Sequence, residues 1–292
     1  MQEITIIGAN SYLARNLIYL MRDKNLYLYG HREKHADGFA NYKHVNLFDS
    51  LSSIKAINMN VDAIFLFSGK TGTSFENHCE FIDVNEKILL NVLNEYRAQN
   101  SNARIIFPST RLIYSDNNNA LENDTGELKS VYAINKFACE QYLKLYNHVF
   151  GVNYTIFRVG LPFGSFINGA SSYGTIEFML NRARSGENII LYGDGSVRRT
   201  LTYIQDICCS MIEGAESQNC ANEIFNIGGE NYSLLEIAKL IATKYGVKVE
   251  FVPYPEIAAK IESGDTVFNS DKLDSIINHK AAIKFKDWLN NI

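Results

Sequence analysis

The chain alternates short apolar runs with longer stretches of helical periodicity. Ile4-Thr5-Ile6-Ile7 is apolar and mostly β-branched, the pattern of a strand buried on both faces. Gly8 ends that run, and Leu13, Leu17, Leu20 and Met21 then recur at helical spacing. Further strands are predicted at Leu26-Tyr27-Leu28-Tyr29, 63–67, Arg104-Ile105-Ile106-Phe107 and Tyr154-Thr155-Ile156-Phe157. The clearest helices between them cover 76–96 and 132–148. Such alternation builds a parallel sheet with helices on both faces, whose right-handed connections gather ligands at the carboxyl ends of the strands. The polar, Asn-rich stretch 116–127 reads as a surface loop, and Gly193-Asp194-Gly195 as a hairpin turn. After Pro162 the pattern loosens, and Gly, Ser and Asn crowd 164–174 as in a linker or lid. The expected fold is α/β. A doubly wound parallel sheet takes 1–160 and a smaller C-terminal α/β lobe takes 161–292, with elements near 200–230 returning to the sheet.

A strand, a glycine turn and a helix point backbone N–H groups and the positive end of the helix at a phosphate. The dinucleotide fingerprint G-x-G-x-x-G is reduced here to Gly8-x-x-Ser11-x-x-Ala14, with Ser11 and Ala14 small enough for close approach. On this stretch alone an ordinary strand–turn–helix is an equal alternative. The second strand ends Tyr29-Gly30-His31-Arg32. It lacks the acid that holds a ribose 2′-hydroxyl and carries a cation suited to a 2′-phosphate, which favours NADP(H) over NAD(H). The plain alternative makes Arg32 one surface charge in Arg32-Glu33-Lys34.

Composition narrows the partners. The 292 residues are 46% hydrophobic and 21% charged, as in a soluble globular protein. A net charge of −4 argues against nucleic acid or an anionic membrane as partner. No apolar run is long enough to span a bilayer. The five cysteines are odd in number with no C-x-x-C pair, and the first strand begins almost at Met1, so no leader is expected. Reduced thiols in a cytoplasm are therefore expected. The six histidines show no metal-ligand spacing, so no metal site is expected.

The strongest chemical signal is Tyr132-Ala133-Ile134-Asn135-Lys136. Residues four apart share a helix face, which sets the phenol beside the ammonium. A free tyrosine, with a pKa of about 10, is a poor base near neutrality, and a neighbouring cation favours its ionised form. The pair thus forms a proton-transfer device.

With these residues in place, the chain resembles the extended short-chain dehydrogenase/reductases, and within them the nucleotide-sugar epimerase/dehydratase branch. Gly8 to Ala14 matches the degenerate glycine motif, which implies Rossmann-type cofactor contacts at Gly8, Asn10, Ser11, Tyr12 and Leu13. Val45-Asn46-Leu47-Phe48-Asp49 stands where the branch has its adenine-contacting D-L-x-D, with Asn46 in the first acid's place. Phe67, Ser68 and Gly69 fall on the cofactor wall, and Asn85 on the asparagine of N-V-x-G-T. Pro108 to Tyr114 matches the S-S/T-x-x-V-Y segment, which makes Thr110 the catalytic hydroxyl beside Tyr132 and Lys136. Glu140, Arg158, Gly164, Tyr203, Asp206 and Phe225-Asn226-Ile227-Gly228-Gly229 also fit the pattern. The resemblance further implies substrate contacts at Gly193-Asp194-Gly195, at Arg199 as a diphosphate ligand, and at Asp265 in Gly264-Asp265.

The departures narrow the reaction. The 4,6-dehydratases carry Asp-Glu after the catalytic Thr, whereas Arg111-Leu112 stand here, so dehydration is not expected. Leu161 and Glu262 replace an Asn and an Arg of the branch's substrate motifs, leaving Arg199 the one family cation at the diphosphate. Lys70 is either a substitute cation or a solvated loop lysine. The resemblance implies an NAD(P)-dependent enzyme acting on a nucleotide-diphosphate sugar by 4-keto reduction or 4-epimerisation, and a homodimer. Thr110 bonds the sugar oxygen, Tyr132 exchanges its proton, and Lys136 lowers the Tyr132 pKa and holds the nicotinamide ribose. A catalytically idle dinucleotide-binding scaffold of the same fold is the alternative.

Overall fold

The computed structural model describes residues 1–48, 53–72, 78–167, 169 and 174–292. Asp49, the first two residues of the helix predicted at 76–96, and much of the Gly/Ser/Asn-rich stretch 164–174 lie outside the described residues. In chain order the strands are β1 (Glu3–Ile7), β2 (Asn25–Gly30), β3 (Tyr42–His44), β4 (Ala63–Leu66), β5 (Arg104–Thr110), β6 (Asn117–Ala120), β7 (Tyr154–Val159), β8 (Leu161–Phe163), β9 (Ile189–Tyr192), β10 (Arg198–Tyr203), β11 (Glu223–Asn226), β12 (Glu230–Ser233), β13 (Val249–Val252) and β14 (Thr266–Phe268). The helices that frame the sheet and the site are α1 (Tyr12–Leu20), α2 (His78–Ile82), α3 (Ile88–Ala98), α4 (Val131–Phe150), α5 (Thr175–Arg184), α6 (Ile204–Glu216) and α7 (Leu234–Tyr245).

Among the described residues, seven parallel strands form the main sheet in the order β11-β7-β5-β4-β1-β2-β3. This is a Rossmann-type fold. The strand order reverses between β1 and β4, the switch point outside which such sheets bind ligands. Apolar strand residues explain the layers. One continuous core runs from Ile4 through α1, α6 and α7 to Leu289. A second, on the other face, packs Leu89, Val92 and Leu93 of α3 with Cys139 and Leu143 of α4. β5 runs three residues beyond the apolar stretch, because Pro108, Ser109 and Thr110 pair with Phe157, Arg158 and Val159 of β7. That extension carries Thr110 to the carboxyl edge.

Three expectations need correction. The stretch 116–127 is not all surface loop, since it contains β6, which pairs with β14 in a five-stranded second sheet. Its polar side chains hide a strand held by backbone bonds, such as Asn117 N–H to the Asp265 carbonyl at 2.8 Å. Gly193-Asp194-Gly195 is not a hairpin turn. β9 pairs with β13, and β10 with β8, β12 and β14, so the chain changes sheets there, with φ of +63° and +69° at the two glycines. The helix expected over 76–96 is not uniform either. Between α2 and α3 a π-helical turn, Asp83–Lys87, widens the coil, and Ile88 N–H reaches the Asp83 carbonyl. That turn sets Asn85 inward, where it is 3% exposed.

Candidate active site

The glycine turn lies at the switch point. Gly8 has φ of +83°, and a Cβ there would meet Ser68 N at 2.5 Å and the Phe67 carbonyl carbon at 2.7 Å. Only glycine lets the ends of β1 and β4 approach this closely. Ser11 caps α1, its hydroxyl accepting from Ala14 N–H at 3.3 Å. Beside the turn a cleft of about 440 Å³ opens at the carboxyl edge, within the usual range for small-molecule sites. Ser11, Tyr12 and Leu13 of the α1 start, Phe67 and Gly69 after β4, Thr110 and Arg111 at the end of β5, and Tyr132 and Lys136 of α4 all line it. The second lobe closes the far side with Leu161, Pro162 and Thr175.

Several predicted residues support this cleft, most of them without lining it. Asn85 clamps the loop after β4, its amide oxygen accepting from Lys70 N–H at 2.8 Å and its amide donating to the Lys70 carbonyl at 3.1 Å. Gly69 stands between Asn85 and Lys136, with a hypothetical Cβ 3.3 Å from Asn85 Oδ1 and 3.8 Å from Lys136 Nζ. The Asn10 side chain pins the loop after β2, accepting from Ala36 N–H at 2.7 Å and donating to the Lys34 carbonyl at 3.2 Å. Tyr12 donates to the Gly164 carbonyl and so ties α1 to the second lobe. Arg32 is exposed at the end of β2. Asn46 turns its side chain to Phe48 N–H at 3.1 Å, and Leu47 is buried, its carbonyl held by Asn91. Ser68 Oγ is buried and has no hydrogen-bond partner among the described residues.

The chemistry concentrates on one wall. Burial pushes the Tyr132 phenol up to about 12, against the neighbouring Thr110 side chain and the Arg111 charge, which both favour ionisation. Lys136 is 5% exposed. Its ammonium donates to the Pro108 carbonyl at 2.8 Å and lies 4.2 Å from the centre of the Phe107 ring. Burial pulls its pKa down to about 8. The expectation that Lys136 lowers the Tyr132 pKa therefore needs correction for the ligand-free chain. Desolvation outweighs every favourable charge, and Arg111 is the cation acting on the phenol. Cys139, beside this face, donates to the Asn85 carbonyl at 3.1 Å, and burial pushes its thiol up to about 12, so it packs rather than reacts.

The three expected substrate cations and acids lie elsewhere. Lys70 pairs with Glu80 on the partly exposed rim. Arg199 is 2% exposed and gives Nη2 to Glu262 Oε1 at 2.6 Å and Nη1 to the Arg198 carbonyl at 2.9 Å. Asp265 accepts from Arg198 N–H at 2.7 Å and fixes the β10–β14 junction. Arg111 does line the cleft, with Lys136 the other cation among its lining residues. Sequence reasoning registered it only as a missing acid. The available signal was a charge placed directly after the reactive hydroxyl at a carboxyl strand end.

Among the described residues no group of three or more His, Cys, Asp or Glu side chains is placed to hold a metal. No helix among them is long and apolar enough to cross a membrane.

Comparison with known proteins agrees with this geometry. Residues 4–228 match the model of the NAD dependent epimerase/dehydratase family. A CDP-paratose 2-epimerase of Salmonella typhi is 26% identical over 262 residues, covering 79% of this chain and 76% of that protein. A dTDP-4-dehydro-6-deoxy-D-allose reductase of Streptomyces bikiniensis is 25% identical over 185 residues, 61% of this chain and only 56% of the reductase. Among solved structures, a UDP-glucose 4-epimerase of Thermus thermophilus in complex with NAD superposes with a TM-score of 0.80 at 19% identity, over 99% of this chain and 96% of that one. At that identity the likeness is one of fold.

Proposed function

The chain belongs to the NAD dependent epimerase/dehydratase family, and from that premise we propose that it is a nicotinamide-dependent enzyme of nucleotide-diphosphate sugars, working by 4-keto reduction or 4-epimerisation. One observation carries this: Thr110, Tyr132 and Lys136 line the same cleft as the start of α1 beside the Gly8 turn. The relatives include both an epimerase and a reductase of nucleotide sugars, which supports the substrate class and leaves the choice between the two reactions to experiment.

The residues present fit a dinucleotide. The Gly8 cradle admits no side chain, and Ser68 Oγ is a buried oxygen with bonding capacity to spare. The Gly8 turn and α1 start hold its diphosphate, Ser68 and Gly69 bound its wall, and Lys136 meets its ribose. Asn10, Asn46, Leu47 and Asn85 shape that pocket from behind, and Tyr12 lines it. The bound nicotinamide supplies hydride acceptance and return. Tyr132 holds the proton that leaves or rejoins the sugar hydroxyl, and Thr110 orients the same oxygen. Arg32, exposed on a strand end that carries no acid, supports preference for a 2′-phosphate, hence NADP(H). Arg111-Leu112 supply no carboxylate for water loss, which speaks against dehydration. Arg199 meets a substrate diphosphate once Glu262 releases it, and Lys70 and Asp265 serve the rim and frame. The exposed apolar stripe Ile134, Leu145 and Val149 on α4 suits pairing with a second copy, in the cytoplasm where free thiols persist.

Absorbance at the reduced-nicotinamide band, followed with a panel of nucleotide sugars and with product analysis, tests this. Net consumption of added NADPH identifies a reductase. Interconversion of sugars without net consumption identifies an epimerase. Neither, with cofactor bound, leaves an idle scaffold and contradicts the proposal.

A further inference from the structure

Arg111 begins a 3-10 turn whose start is capped by Thr110, the Thr110 hydroxyl accepting from Leu112 N–H at 3.2 Å. Its guanidinium reaches across to the second lobe. Nη1 donates to Ser263 Oγ at 3.1 Å and to Thr266 Oγ1 at 3.2 Å, both neutral hydroxyls. Among the described residues Nε and Nη2 donate to no protein group, and no carboxylate pairs with the guanidinium. The acid whose charge reaches it, Glu262, is engaged elsewhere. Its Oε1 takes Arg199 Nη2 at 2.6 Å and Gly264 N–H at 3.2 Å. Two guanidinium groups therefore stand around one carboxylate, and the surplus charge falls on Arg111, in the cleft wall. Burial and the neighbouring Arg199 pull Arg111 down to about 9, the direction of a cation that lacks a counter-charge. A planar fork with open donors is suited to bidentate binding of a carboxylate.

The position narrows which anion. In a nucleotide sugar the diphosphate hangs from C1, across the ring from C4. Arg111 follows Thr110 directly, and its charge acts on the Tyr132 phenol. Arg111 lines the same cleft as Thr110 and Tyr132, and Arg199 is absent from that lining, which sets Arg111 on the side of the reacting carbon.

We propose that Arg111 recognises a carboxylate on the sugar ring next to the reacting carbon, so that the preferred substrate is a nucleotide-linked sugar acid rather than a neutral hexose. This rests on the nucleotide-sugar function proposed above. The test uses the cofactor-loaded protein and a matched pair of UDP-sugars, glucuronate and glucose, that differ only in carboxylate against hydroxymethyl at C6. Binding is measured by calorimetry and turnover by product analysis, for the wild type, Arg111→Met and Arg111→Lys, with UDP alone as control. The wild type should bind the glucuronate conjugate about ten- to a hundredfold more tightly than the glucose conjugate, the range of a charge-assisted hydrogen bond. Arg111→Met should abolish that difference, Arg111→Lys should restore part of it, and UDP should bind all three alike. Equal binding of both sugars by the wild type overturns the proposal. An equal loss of UDP affinity in Arg111→Met overturns it too, and assigns Arg111 to the diphosphate. Discrimination in binding without turnover of either sugar upholds Arg111 while contradicting the reaction. Failure to bind either conjugate contradicts both.

Discussion

Two arginines near the carboxyl edge of the main sheet show how differently this chain treats charge. Arg158 on β7 is 2% exposed and paired with Glu140, itself fully buried. Nε and Nη2 reach the two carboxylate oxygens at 3.0 and 2.7 Å, and Nη1 gives to Tyr114 Oη at 2.7 Å and to the Glu122 carbonyl at 3.0 Å. Ser109 completes the carboxylate's shell at 2.5 Å. Burial opposes the charge, but Glu140 and Tyr114 overcome it, and the Arg158 pKa rises. Among the described residues, Arg111, from the neighbouring strand end, hydrogen-bonds only hydroxyls, and its pKa falls. Lys136 repeats the second case, with a carbonyl and a ring for company. Where charge is neutralised the chain is building a frame. Where charge is left uncompensated, on the cleft wall, it is arranged for a ligand.

The largest expected effect breaks the frame. Glu140→Ala strands a buried guanidinium and should cost about 3–5 kcal/mol of stability, read as a lower urea midpoint. Arg111→Met, by contrast, removes an uncompensated charge and should cost little or nothing in the same measurement. Comparable losses would erase the distinction between the two sites.

Arg199 is the intermediate case, a buried cation whose partner reaches it from a segment 63 residues away. Glu262→Gln keeps the shape and removes the charge. If Glu262 stands in for a substrate phosphate, nucleoside diphosphate affinity should rise by up to about tenfold, roughly 1.4 kcal/mol. Unchanged affinity would make Arg199 part of the frame.

A further effect is pH-dependent. Burial sets the folded Lys136 pKa at about 8, below the unfolded value of about 10.4. Between those values the unfolded chain binds more protons, so this group makes stability rise with pH. Lys136→Met should therefore raise the melting temperature of the ligand-free protein at pH 7, and the gain should shrink as pH climbs from about 8 to 10. A gain that grows with pH would mean that Lys136 is stabilised in its charged form.

Much of the frame was legible in the sequence, for definite reasons. β1, β2, β4, β5 and β7 are buried on one or both faces and so appear as apolar runs, and the Tyr132–Lys136 spacing follows from helix geometry alone. β6 escaped because backbone bonds hold it and leave no period in Asn117-Asn118-Asn119. The sheet change at Gly193-Asp194-Gly195 escaped because local turn chemistry does not say which strand each arm will pair with. The charge pattern at the site escaped too. Whether Arg199 or Arg111 is the uncompensated cation depends on where Glu262 folds, a long-range contact with no sequence signature. The π-helical turn at Asn85 leaves none either.

The central claim is that Tyr132 moves the proton of the sugar hydroxyl in this cleft, and Tyr132→Phe tests it most directly, because it removes one oxygen and little else. With the best nucleotide sugar from the panel, turnover should fall by about 10²- to 10⁴-fold, the usual worth of a general acid–base. Cofactor affinity, measured by reduced-nicotinamide fluorescence in the same samples, should stay within about twofold, a change of roughly 0.4 kcal/mol. A variant that keeps most of its activity, or one that loses cofactor in step with turnover, would contradict the account.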